Sequence, residues 1–76
     1  MGTQRLIIPI YGLERDKRGA VAIERALAQV PGVAYATVNP ALETAYVAFD
    51  PAVCRPDRVV AAIRAAGFGA GRPSPR

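Results

Sequence analysis

Hydrophobic residues along this chain fall into two alternating rhythms. The run Leu6-Ile7-Ile8-Pro9-Ile10 is short, β-branched and closed by Gly12, which predicts a strand. From Gly12 to Gly19 the chain is charged and reads as a loop. Ala20, Ile23, Leu27 and Val30 then recur at helical spacing, with Glu24, Arg25 and Gln29 on the other face. Pro31-Gly32 predicts the end of that helix. Residues 33–39 and 43–49 alternate in steps of two, with Ala36 and Val38 inward in the first run and Ala45, Val47 and Phe49 inward in the second. Asn39-Pro40 turns between them, so the pair reads as a hairpin. Pro56-Asp57 opens a second helix with an apolar stripe of Val59, Ala62, Ile63 and Ala66 and a cap at Gly67. Phe68-Gly69-Ala70 predicts a very short last strand. Residues 71–76 read as a flexible tail or the start of a linker.

The order strand, helix, strand, strand, helix, strand is that of an α+β, ferredoxin-like βαββαβ sandwich, with two helices on one face of an antiparallel sheet. The expected spatial order is fourth, first, third, second strand. Pro9 sits awkwardly in a central strand, because proline donates no ladder hydrogen bond. The conflict eases if its nitrogen faces the edge left by the stunted fourth strand.

Composition narrows the function classes. At 76 residues the chain makes one domain, placed at 1–70, with a thin core. A hydrophobic content of 51% excludes general disorder. No apolar stretch approaches the roughly 20 residues of a membrane span, so no membrane insertion is expected. There is one cysteine, Cys54, with one methionine and no histidine. An intrachain disulfide is excluded, a reducing compartment such as the cytoplasm is expected, and a soft-metal site is hard to assemble. The net charge of +4 is spread over arginines, with its densest run at Arg15, Lys17 and Arg18.

Several local patterns, in order, resemble the heavy-metal-associated (HMA) domains of copper chaperones and metal-transporting P-type ATPases. They are Ile23-Glu24 with Ala26-Leu27, Pro31-Gly32-Val33, Val38-Asn39, Glu43-Thr44-Ala45, Phe49-Asp50-Pro51, Pro56-Asp57, Ala62-Ile63 and Ala66-Gly67-Phe68. In that family the metal loop follows the first strand as Gly-Met-x-Cys-x-x-Cys. Here Gly12-Leu13 stands at the Gly-Met position. Counted forward, the ligand positions fall on Arg15 and Arg18; counted back from Ile23-Glu24, on Asp16 and Gly19. Neither register holds a thiol. Arginine stays protonated and offers no lone pair, and cations surround the carboxylates of Glu14 and Asp16. Cys54 follows the third strand, at the other end of the domain, and reads as a small buried hydrophobe. A copper bridge between two copies of Cys54 is left open.

The resemblance implies a degenerate domain of a heavy-metal, foremost copper, transport or homeostasis system. It would act as a regulatory or docking module, with no metal at the usual loop and no cofactor. It would be either the soluble part of a membrane transporter or a free-standing protein. The implied partner is another protein domain, such as a metal chaperone or ATPase domain, engaging Glu14, Arg15, Asp16, Lys17 and Arg18.

The sheet face away from the helices offers an alternative. Ile7, Pro9, Tyr35, Thr37, Tyr46 and Ala48 make it more apolar than solvent requires, so Ile7, Tyr35 and Tyr46 become candidates for a protein contact or homodimer. Nucleic acid is disfavoured, because Ile7 and Pro9 stand where RNA-recognition sheets carry stacking aromatics. Anion binding by Arg15 with Asn39 is weaker still, since Asn39-Pro40 is explained by turn chemistry. No catalytic residues emerge, and no enzyme is expected.

Overall fold

A computed structural model describes residues 2–13 and 17–75. The elements are β1 (Gln4–Tyr11), α1 (Lys17–Ala28), β2 (Val33–Asn39), β3 (Thr44–Phe49), α2 (Pro56–Ala65), β4 (Gly69–Ala70) and β5 (Ser74–Pro75). The sheet runs β2-β3-β1-β4, with β5 also on β1, and every pairing is antiparallel. This is the expected ferredoxin-like arrangement and strand order. Leu6, Ile8 and Ile10 of β1 and Ala45, Val47 and Phe49 of β3 meet Ala20, Ile23 and Leu27 of α1 and Val59 and Ile63 of α2 in one core.

Two helix ends show how sequence sets the boundaries. Gly67 takes a left-handed φ of +97°, the Gly67 amide donates to the Arg64 carbonyl and the Phe68 amide to that of Ile63. This paired capping closes α2 and turns the chain toward β4. α1 begins earlier than the hydrophobic rhythm suggests. Lys17 and Arg18 belong to its first turn and not to a loop.

Pro9 behaves as its chemistry requires. Its carbonyl accepts from the Gly71 amide at 2.8 Å, whereas the Ile10 amide donates the other way, to the Glu43 carbonyl on the β3 side. Both polar positions of one residue face the same side of a strand, so the Pro9 nitrogen faces the β4 side. Residues beyond Ala70, expected as tail or linker start, turn back along β1: Ser74 lies opposite Ile7 and Pro75 opposite Leu6. Their composition hides this, because the pairing is set by β1 and not by local propensity.

One polar contact fixes α1 to the sheet. Glu24 Oε2 accepts from the Val38 amide at 2.8 Å, on the outer edge of β2. The carboxylate satisfies an edge amide that lacks a strand partner. Glu24→Ala should lower stability in urea denaturation by about 1.5–3 kcal/mol, the range for a hydrogen bond to a charged group. Arg25→Ala, next along the helix and exposed, should cost little.

Candidate functional site

The connection between β1 and α1 is built from three constraints. Gly12, at φ +88°, turns the chain out of β1 through a conformation other residues resist. Leu13 then drops into the core, 1% exposed. Glu14, Arg15 and Asp16 lie outside the described residues, so the expectations placed on them rest on sequence alone. Lys17 opens α1, and Gly19 and Ala20 join its buried face.

Gly19 is where the backward count puts the second ligand. A Cβ there would lie 2.9 Å from Leu13 Cδ1 and 3.1 Å from Phe68 Cζ. The absent side chain lets loop, helix and the entry to β4 close on one another. Phe68, read from sequence only as part of a short strand, is therefore a wall of this site. Arg18, the second ligand position by the forward count, is exposed on the first turn of α1.

The outer face of α1 is electropositive. Its first turn has no acidic residue, and Lys17 and Arg18 add cations where the helix dipole is already positive. Together with Val21, Ala22 and Arg25 they line a shallow groove. Glu24 is turned away to β2, so its charge does not offset them there. The sequence does not mark Val21 and Arg25 as site residues. The one available signal is that Val21 is an apolar residue off the stripe of Ala20, Ile23 and Leu27.

Other donors are spent elsewhere. Cys54 is buried, and its Sγ donates to the Arg55 carbonyl at 3.4 Å. Burial pushes its thiol pKa up, against the opposing pull of Arg58, so the metal-binding thiolate is disfavoured. Cys54 packs on Gly32, where a Cβ would stand 2.7 Å from its own. It lies beyond Phe49, which is opposite Gln4 at the start of β1, whereas the loop leaves the other end of that strand. Asp50 Oδ1 accepts from the Ala52 amide, and Asn39 Oδ1 from the amides of Ala41 and Leu42. The Asn39 side-chain oxygen thus serves its own turn.

The open sheet face is partly filled. Tyr35 is 51% exposed, Ile7 and Tyr46 are half-buried, and Ala48 is covered despite lying on this face. Tyr46 stands between Ile7 and Thr37, and Ala48 between Arg5 and Tyr35, so cross-strand neighbours account for much of the patch.

A family model described as the heavy-metal-associated domain matches residues 20–69. Over 49 residues the chain is 53% identical to the copper-transporting ATPase HMA4 of Oryza sativa subsp. japonica; this covers 64% of the chain but only 5% of that ATPase. The copper binding domain of HMA7, a P-type ATPase, superposes with a TM-score of 0.91 at 26% identity, covering 96% of this chain and 97% of that one. The N-terminal domain of a potential copper-translocating P-type ATPase from Bacillus subtilis, in its Cu(I)-loaded state, gives 0.89 at 28% identity, covering 97% and 91%. Those two neighbours are copper-binding domains of P-type ATPases. No described helix is long and apolar enough to cross a membrane. With the fold, the matched residues and the relatives in agreement, the chain belongs to the heavy-metal-associated domain family.

Proposed function

We propose that this domain serves a copper-handling system by docking to another protein, without holding copper between two thiols of its first loop. One observation carries the reading. The loop where relatives bind metal has no cysteine, and the space beside its second ligand position is taken by Leu13 and Phe68 packing on Gly19. Copper(I) favours soft sulfur ligands, and the single thiol of the chain is buried at the other end. The role is regulatory, either within a transporting ATPase like the rice relative or beside one.

The docking surface is the positive start of α1. Lys17 and Arg18 adjoin Glu14, Arg15 and Asp16 in sequence and continue along the helix through Val21 to Arg25. The partner is a chaperone or ATPase domain with acidic groups around an apolar contact. Like and unlike charges at a rim act chiefly on association rate and partner choice. Reversing Arg15, Lys17 and Arg18 to glutamate should weaken calorimetric binding to such a domain by at least about tenfold, or 1.4 kcal/mol. Unchanged affinity removes the docking surface. In a copper(I) titration against a strong chelator, wild type and Cys54→Ala should superimpose with no uptake. Tight uptake lost in Cys54→Ala would replace this reading with a metal-bridged pair of Cys54 residues.

A further inference from the structure

β1 has two edges, and they are covered very differently. Toward β3 it pairs continuously from Gln4 to Pro9. On the other side, β4 covers Ile10 and Tyr11, the Gly71 amide reaches the Pro9 carbonyl, and β5 lies opposite Leu6 and Ile7. Backbone polar groups alternate sides along a strand, so Arg5 and Ile7 turn theirs to this outer edge, as Pro9 does.

The two halves of that cover are not equally held. Around Gly69 and Gly71 the chain is clamped beneath Tyr11. A Cβ on Gly69 would lie 3.1 Å from Tyr11 Cβ, and one on Gly71 2.8 Å from the Tyr11 hydroxyl and 3.1 Å from Pro9 Cγ. Beyond Gly71 the hold weakens. Both residues of β5 are exposed. Pro73 and Pro75 have no amide hydrogen to donate. An open groove bounded by Thr3, Gln4, Arg5, Leu6, Pro56 and the two prolines runs alongside. Segments with little burial and few backbone bonds open at low free energy.

We propose that residues 72–75 form a detachable cover over the outer edge of β1, and that the contact it holds off is antiparallel pairing of β1 with β1 of a second copy of this chain. An uncovered, β-branched edge is a ready template for another strand. A two-fold pairing centred on Leu6 sets Arg5 opposite Ile7 in both halves. It uses outward amides that both residues possess and opposes no like charges. The pairing ends where Pro9, with no donor, falls opposite Thr3. A tethered cover competes at a millimolar effective concentration, so the intact chain stays monomeric when dilute.

Amide exchange on the intact chain tests detachment. The Ile7 amide should exchange at least about 100-fold faster than the β3-facing amide of Ile8, as local opening requires. Equal rates would mean that the cover leaves only with global unfolding, and would overturn the proposal. Sedimentation tests the contact. A chain ending at Gly71 should dimerise with rising concentration and return to monomer with Arg5→Pro, which removes an outward amide on an exposed residue. Should the shortened chain fail to fold, Ser74→Pro in the 76-residue chain weakens the same pairing and should dimerise in its place. A folded, uncovered chain that stays monomeric up to about the millimolar effective concentration of the tether overturns the proposal.

Discussion

Cysteines installed together at positions 16 and 19 are expected to give this chain copper(I) binding about a thousandfold tighter than wild type, some 4 kcal/mol, in a chelator competition. The reason lies in the register of α1. Ile23 and Leu27 fix the helix in the core, and Gly19 lies on the same buried face. A thiol there starts the helix, where the dipole and the neighbouring Lys17 and Arg18 favour thiolate. Paired with a second sulfur at position 16, it supplies the soft donor set copper(I) prefers. Either single variant should gain little. Arg15→Cys with Arg18→Cys should fall well short, because Arg18 is exposed on the helix surface. The obstacle is steric: the new Cβ needs Leu13 Cδ1, now 2.9 Å away, to give way. Adding Leu13→Met should raise the affinity further, since methionine adapts to irregular gaps. If neither double variant exceeds wild type, the loop has lost more than its sulfurs.

How far the sequence reveals this site follows from what is local and what is not. The period-two runs around Val38 and Val47 and the helical stripe through Ile23, Leu27, Val59 and Ile63 state their partners' faces directly, and the fold follows from their order. The apolar rhythm places the start of α1 too late, because Lys17 and Arg18 interrupt it and Gly19 looks like a breaker. In the folded chain that glycine is useful for what it lacks, since Leu13 and Phe68 occupy the space. Phe68 comes from the far end of the chain, and no local pattern announces the contact. β5 was hidden for a similar reason. Ser74 and Pro75 have poor strand propensity, and only the unpaired edge of β1 places them. The absence of a thiol pair, by contrast, is a matter of counting, legible without any structure. So was the distance of Cys54 from the loop, because antiparallel pairing sends the exit of β3 to the start of β1.

Phe49→Ala is expected to remove a large share of the domain's stability and to lower its melting temperature sharply. Phe49 ends β3 and is 1% exposed. Its backbone lies opposite Gln4 of β1 and Val33 of β2, and its ring belongs to the core at the end away from the loop. Truncating a buried phenylalanine to alanine costs about 3–5 kcal/mol, through lost transfer energy and the cavity left behind. The whole stability of a 76-residue domain is about 4–11 kcal/mol. Each kcal/mol shifts Tm by roughly 4–8 °C at this size, so a fall of 12 °C or more is expected in a thermal melt followed by circular dichroism. Ile63→Val, equally buried in α2, should cost only about 0.5–1.5 kcal/mol and melt close to wild type. A strong copper chelator should move none of these curves. If the apolar core alone holds the fold, removing metal takes nothing from it. A chelator-dependent Tm in the wild type would place a stabilising metal in the folded chain and count against the docking function.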